Sequence, residues 1–126
     1  MARILVIDDE PIIREYVRHV LSTEGHEVFE AGDGAAALAT LEGHPAEVVV
    51  TDLYMPGMDG LEFARVLRRG TSRPAVVAMS GGGFGRQADV LDAATSLGAV
   101  AKLSKPFSQE QLLLAVDRAL GKGTVS

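Results

Sequence analysis

Five short apolar runs alternate along this chain with longer segments of helical periodicity, and this alternation limits the possible folds more than any other feature. The runs are rich in β-branched residues and are bounded by Gly, Pro or Asp, which is typical of buried strands. They cover residues 4–7, 28–31, 48–50, 75–79 and 100–103, and the second run is the weakest. Each run therefore predicts one strand of a sheet that is covered on both faces.

The segments between the runs have the spacing and the end residues of helices. The first begins near Pro11 and stops at Gly25. The second, residues 35–41, is opened by Asp33 and followed by Gly43. Proline is favoured in the first turn of a helix and glycine just after its last.

Three more helical segments follow the third and later runs. Residues 61–67 and 87–97 each end shortly before a glycine, and the last segment has Ser108 as its N-cap and ends before Gly121. Five strands alternating with five helices predict an α/β fold with a doubly wound, five-stranded parallel sheet. We expect one domain over residues 1–121 and a frayed tail at 122–126.

Composition excludes several classes of function. The length of 126 residues suits one domain, and the net charge of −5 with a pI near 5.1 argues against nucleic acid, which needs a basic face. The chain has no cysteine for disulfide or thiol chemistry. Its apolar N-terminal run is too short for a signal peptide or a membrane span. We therefore expect a soluble, cytoplasmic protein without membrane insertion.

The polar residues that end the predicted strands define a candidate site. In parallel sheets with helices on both faces, ligands bind outside the carboxyl ends of the strands. The residues at those positions are Asp8, Asp9 and Glu10 after the first strand, Asp52 after the third, Ser80 after the fourth and Lys105 after the fifth.

These residue types suit phosphoryl transfer to a carboxylate. Clustered carboxylates repel one another, and a divalent cation such as Mg²⁺, which prefers oxygen ligands, removes that repulsion. Lys105 supplies a fixed positive charge and Ser80 a hydroxyl donor. Asp52 can act as the nucleophile and form an aspartyl phosphate, and it needs no general base because it attacks in its ionised form.

Each of these signals has an ordinary structural explanation when it is taken alone. Acids after a strand often just begin a helix, where its dipole favours them. An aspartate before a Pro-Gly pair, such as Asp52 before Pro56 and Gly57, is usually part of a turn. The functional interpretation is favoured because each residue falls at the same end of its own strand.

The chain resembles the response-regulator receiver family over essentially its whole length. The motifs that carry the resemblance are VIDDE at 6–10, VTDLYMPGMDG at 50–60, MSG at 79–81 and LSKPF at 103–107. The resemblance implies a flavodoxin-like sheet of order 2-1-3-4-5. It also implies that Asp52 accepts a phosphoryl group from a histidine kinase or a histidine phosphotransfer protein.

The same resemblance implies roles for the other site residues. As ligands of Mg²⁺ it implies Asp9 directly, Asp8 largely through water, Asp52, and the backbone carbonyl of Tyr54. Ser80 and Lys105 are expected to contact the phosphoryl oxygens. The peptide bond between Lys105 and the proline that follows it is expected to be cis.

Two departures from the family pattern bear on how the signal leaves the site. Lys102 stands where the family usually has a switch aromatic residue, and we interpret it as a solvated lysine on an edge strand. Three glycines at 81–83 follow Ser80 and give that loop large backbone freedom. We expect phosphorylation to order residues 80–86.

Several functions remain open from the sequence. We expect a stand-alone receiver, monomeric or weakly dimeric, that binds a downstream protein target or passes phosphate along a relay, because no output domain follows Gly121. We also expect the first helix to expose Glu10, Arg14 and Arg18 to a kinase. The main alternative is an interaction module that is never phosphorylated. A phosphatase or flavin carrier is disfavoured, since Tyr54 stands where one phosphatase class needs an acid and the chain has few aromatic residues.

Overall fold

The computed structural model describes residues 2–52, 67, 74–80 and 99–121. Within them lie five strands and three helices. They are β1 (Arg3–Ile7), α1 (Pro11–Thr23), β2 (Glu27–Ala31), α2 (Gly34–Gly43), β3 (Val48–Asp52), β4 (Ala75–Ser80), β5 (Ala99–Ser104) and α3 (Gln109–Ala119). Of the predicted segment 61–67 only the buried Leu67 is described. The predicted helix 87–97 and the tail at 122–126 lie outside the described residues.

The five strands form one parallel sheet in the order β2-β1-β3-β4-β5, as predicted. The register brings the ends of neighbouring strands level. Ile7 lies opposite Thr51, Asp52 lies opposite Met79, and Ser80 lies opposite Ser104. The carboxyl ends of β1, β3, β4 and β5 therefore meet along one side of the sheet, which we call the carboxyl edge.

Apolar side chains cover both faces of the sheet because successive residues of a strand point to opposite sides. Ile4 and Val6 of β1 pack into the core below α1 and α3, whereas Leu5 and Ile7 pack into the core below α2. All five residues of β3 are buried. β2 is only partly buried, which agrees with its weak apolar run and with its place at the side of the sheet.

The helix ends match the predicted cap residues. Asp33 caps α2 by accepting a hydrogen bond from the backbone N–H of Ala36 at 2.7 Å. Ser108 and Gln111 form a reciprocal capping box at the start of α3. Gly25, just beyond α1, has a φ of +90°, a conformation that glycine adopts without strain. The prediction for α2 differs in one respect: Gly43, which was predicted to follow the helix, is its last residue.

No helix among residues 2–52, 74–80 and 99–121 combines the length and the apolar character needed to span a bilayer.

Candidate functional site

Asp8 stands at the end of β1 and is held there by main-chain and side-chain hydrogen bonds. Its backbone N–H donates to the carbonyl of Ala31 at 3.2 Å, which extends the pairing with β2 by one residue. Its Oδ1 accepts a hydrogen bond from the N–H of Glu10 at 2.9 Å. The side chain of Asp8 is completely buried. In the β1–α1 turn (residues 8–10), the Asp8 carboxylate is therefore buried, while Asp9 and Glu10 are exposed.

The other predicted side chains reach the carboxyl edge from three further strands. Asp52 is the last residue of β3 and is buried, and Ser80 is the last residue of β4 and is also buried. Lys105 follows β5 directly, and its N–H donates to the carbonyl of Ser80 at 2.8 Å. The bond between Lys105 and Pro106 is cis, as predicted.

The ammonium group of Lys105 joins the carboxylates of three separate residues. Nζ donates to Oδ2 of Asp8 at 2.7 Å and to Oδ2 of Asp52 at 2.9 Å, and it lies 3.4 Å from Oε1 of Glu10. The Lys105 side chain is 9% exposed and that of Asp52 is 7% exposed, so the contacts of Lys105 with Asp8 and Asp52 are largely shielded from water. The site is a shielded ion cluster in which one lysine contacts two buried carboxylates.

Burial and ion pairing act in opposite directions on these groups. Burial raises the pKa of the Asp8 carboxyl above its ordinary value, against the lowering effect of hydrogen bonds from Lys105 and from the Glu10 N–H. Burial alone would lower the pKa of the Lys105 ammonium, but its hydrogen bonds to Asp8 and Asp52 outweigh burial and raise that pKa. Lys105 therefore keeps its proton and its positive charge at neutral pH.

The carboxylates at this edge form an acidic cluster (Asp8, Asp9, Glu10 and Asp52) with the composition of a metal site. One ligand oxygen from each residue lies within 4.8 Å of the others. Among the described residues, one lysine contacts a cluster of four carboxylates, which leaves an excess of negative charge that a cation can balance. Carboxylate oxygens are the donors that hard divalent cations prefer, so the residues fit such an ion. Glu10 belongs to this set although the predicted metal ligands were Asp8, Asp9, Asp52 and the carbonyl of Tyr54, with Glu10 named only as a residue of the candidate site.

Ser80 carries a buried hydroxyl without a hydrogen-bond partner among the residues that the structure describes. A buried polar group left in that state costs roughly 1–3 kcal/mol, so native proteins rarely retain one without a use. This hydroxyl lies at the end of the strand next to Asp52. It is available to donate to an oxygen of a group bound at the carboxyl edge.

Comparison with known proteins assigns the chain to a family. The sequence model of the response regulator receiver domain matches residues 4–117. The chain belongs to this family. Receiver domains of two-component response regulators typically serve as phosphoacceptors and not as enzymes. The acidic cluster at the carboxyl edge is consistent with the metal site of a receiver.

Two curated relatives of this receiver are longer than the chain. It is 36% identical over 121 residues to the transcriptional regulatory protein PdtaR of Mycobacterium tuberculosis, covering 95% of this chain and 57% of that protein. It is 40% identical over 123 residues to the response regulator MprA of a Mycobacterium species, covering 97% of this chain and 51% of that protein. The chain thus spans about half the length of these curated relatives.

Solved receiver structures superpose closely on this one. The chemotaxis response regulator CheY4 of Vibrio cholerae gives a TM-score of 0.83 at 31% identity, with 94% of this chain and 98% of that chain covered. A response regulator receiver domain protein of Clostridium thermocellum gives a TM-score of 0.84 at 30% identity, with coverages of 96% and 95%.

The remaining predictions concern Tyr54, the glycines at 81–83 and Lys102. Tyr54, predicted as a backbone metal ligand, and the glycines at 81–83 lie outside the described residues. Lys102 is exposed on β5, the outermost strand on that side of the sheet, as predicted. It borders a groove between β5 and α3 together with Leu114 and Arg118.

The predicted exposed stripe on the first helix is correct for Glu10 and Arg18, whereas Arg14 is only partly exposed. The Arg14 side chain is only 22% exposed because it turns back across the start of α1. Its Nη1 donates to the backbone carbonyl of Asp8 at 2.8 Å, and its Nε donates to Glu30 at 3.4 Å. Helical spacing placed Arg14 on the surface, but spacing along α1 contains no information about these partners in the β1–α1 turn and on β2.

Proposed function

We propose that this receiver accepts a phosphoryl group on Asp52 from a histidine kinase or a histidine phosphotransfer protein. The phosphorylated form then signals by binding a downstream protein or by passing the group along a relay. The observation that carries the proposal is the Lys105 ammonium, which lies 2.9 Å from the carboxylate of Asp52 and 2.7 Å from that of Asp8. We place this exchange in the cytoplasm, where a cysteine-free chain is suited to a reducing environment.

The chemistry assigned to Asp52 is a nucleophilic substitution at phosphorus. An Asp52 oxygen forms a new bond to phosphorus, the bond from phosphorus to the donor's imidazole nitrogen breaks, and that nitrogen keeps the electron pair. Phosphoryl transfer depends on positioning and on neutralising charge at the equatorial oxygens. The charged Lys105 is close enough to Asp52 to do so, and the Ser80 hydroxyl, which has no hydrogen-bond partner among the described residues, supplies a hydrogen bond.

We assign the metal of the acidic cluster as Mg²⁺, with Asp8, Asp9 and Asp52 as ligands and the Tyr54 carbonyl added from family resemblance. When bound, Mg²⁺ supplies positive charge that offsets the repulsion between the carboxylates and the incoming phosphoryl oxygens. Asp9 is exposed and Asp8 is buried, so the two ligands differ in how readily solvent reaches them.

The proposal is tested by phosphate uptake from a small donor. With acetyl phosphate and Mg²⁺, intact-mass analysis should show one added phosphate, which EDTA prevents and hydroxylamine removes, since hydroxylamine cleaves acyl phosphates. Absence of uptake in Mg²⁺ would favour the alternative of an interaction module that works without phosphorylation. Uptake that resists hydroxylamine would place the phosphate on a hydroxyl group and contradict the assignment.

Replacing Asp9 by alanine should weaken Mg²⁺ binding by more than about tenfold, because it removes a ligand from a site with few protein ligands. It should leave the fold intact, and it should raise the thermal midpoint in metal-free buffer by removing one repelling charge. Calorimetric titration with Mg²⁺ measures the first effect. Glu42→Ala, which removes an exposed acid from α2, is the matched control. Equal Mg²⁺ affinity of Asp9→Ala and wild type would show that Asp9 is not a ligand.

A further inference from the structure

Arg14 connects three elements that meet beside the acidic cluster. It lies on α1, it donates from Nη1 to the backbone carbonyl of Asp8 at the end of β1, and it donates from Nε to Glu30 on β2. Glu30 is fixed from a second side, because Nε of Arg18 lies 2.8 Å from its other carboxylate oxygen. The guanidinium of Arg14 is therefore held on an anchored carboxylate while it contacts the Asp8 carbonyl.

The space around this guanidinium depends on Gly32. A Cβ atom at position 32 would lie 3.3 Å from Nη1 of Arg14, which is tighter than an ordinary contact. Glycine at this position leaves room for the guanidinium to reach the end of β1. The approach of Arg14 to Asp8 thus involves residues from three separate parts of the sequence.

The orientation of the Asp8 carbonyl determines the position of the next residue, because the peptide group is planar. Fixing the direction of that C=O also fixes the N–H of Asp9 and the position of its Cα. The two residues that follow Asp8 in the turn carry the exposed carboxylates of the acidic cluster. A hydrogen bond from a cationic guanidinium is about twice as strong as a neutral one, so it holds this peptide group firmly.

We infer that Arg14 is a positioning residue of the phosphoacceptor site, acting through the Asp8 carbonyl to hold the β1–α1 turn in the geometry that binds the metal. The inference rests on the proposed function. Arg14 itself contacts neither the metal nor the phosphoryl group. Its loss should loosen the arrangement of Asp9 against Asp8 and leave the nucleophile and Lys105 in place.

The test compares Arg14→Gln with Arg18→Gln. Both variants remove one contact to Glu30 and one positive charge from α1, but only the first loses the bond to Asp8. For Arg14→Gln we expect the calorimetric Mg²⁺ affinity to fall by about tenfold, the range seen when support of a metal ligand is lost. The Mg²⁺ concentration for half-maximal phosphate uptake should rise by the same factor, while the rate at saturating Mg²⁺ stays within about twofold. Arg18→Gln should stay close to the wild-type affinity, because Arg14 keeps its own bonds to the Asp8 carbonyl and to Glu30.

Two further variants make the result independent of the glutamine substitution. Arg14→Lys should not restore the Mg²⁺ affinity. A compact ammonium group does not reproduce the planar guanidinium, whose separate N–H groups donate to Asp8 and Glu30 together. Gly32→Ala adds a Cβ 3.3 Å from Nη1 of Arg14, so the guanidinium must shift slightly, and Mg²⁺ binding should weaken, though by less than in Arg14→Gln. It serves as the main test if Arg14→Gln fails to fold.

The outcomes separate this inference from the proposed function. Equal Mg²⁺ affinity of Arg14→Gln and Arg18→Gln would overturn the inference, as would a lower thermal midpoint with unchanged affinity, since that is what a purely structural role produces. Neither result would affect phosphate uptake by the wild type. Failure of the wild type to take up phosphate would remove the proposed function, and the calorimetric comparison would still decide the role of Arg14.

Discussion

Asp52→Asn should take up no phosphate from acetyl phosphate in Mg²⁺, whereas the wild-type chain gains one. A carboxamide has nearly the shape of a carboxylate but lacks the anionic oxygen that attacks phosphorus. The variant should fold, because Lys105 keeps its 2.7 Å contact with Asp8 when the charge of Asp52 is removed. Intact-mass analysis at matched donor and Mg²⁺ concentrations measures the difference directly.

Asp33→Asn is the matched control for this experiment. It makes the same chemical change at an exposed aspartate whose role is to cap α2, and asparagine caps helices equally well. Its uptake should equal that of the wild type. Undiminished labelling of Asp52→Asn would identify another acceptor and refute the assignment of Asp52. Proteolysis and mass mapping of the labelled peptide would then show which residue carries the phosphate.

The sheet and the convergence of the site residues were predictable because both follow from simple periodicities. A continuous β-branched run such as 48–50 indicates a strand buried on both faces, and β3 is buried throughout. Parallel strands bring their carboxyl ends together, so the residues that end them must meet. This reasoning brought Asp8, Asp52 and Lys105 to the same edge, where the Lys105 ammonium lies within hydrogen-bond distance of both carboxylates.

The contacts that were not predicted depend on the relative placement of separate elements. Helical spacing placed Arg14 in the exposed stripe, but its partners are the Asp8 carbonyl in the β1–α1 turn and the side chain of Glu30 on β2. The register shift between β4 and β5 at Val76 and Val77 has no counterpart in the apolar pattern. Family resemblance assigned Lys105 to the phosphoryl oxygens, which stays a prediction, but it did not predict the ion pairs of Lys105 with Asp8 and Asp52.

Lys105→Met should lower the free energy of unfolding in metal-free buffer by about 3 kcal/mol, or roughly 10 °C in the thermal midpoint. Methionine preserves much of the length and the apolar stem of lysine but removes the ammonium. The carboxylates of Asp8 and Asp52 would then face each other in a shielded site without the cation that now contacts both. Removing one partner of a buried ion pair is costly because it leaves the opposite charge uncompensated. Chemical denaturation with and without Mg²⁺ measures this cost.

Lys102→Met is the control, because it makes the same replacement at an exposed lysine on β5. It should change the free energy of unfolding by less than about 0.5 kcal/mol. Addition of Mg²⁺ should restore much of the stability of Lys105→Met, because the cation balances the negative charge of the acidic cluster.

A double-mutant cycle tests whether Lys105 stabilises the site by offsetting the charge of Asp8. Asp8→Asn should stabilise Lys105→Met, where it removes one of two uncompensated charges, by more than it stabilises the wild-type chain, where Lys105 already offsets the repulsion between Asp8 and Asp52. If Asp8→Asn has the same effect in both backgrounds, the stability of the site does not come from compensation of these carboxylates by Lys105.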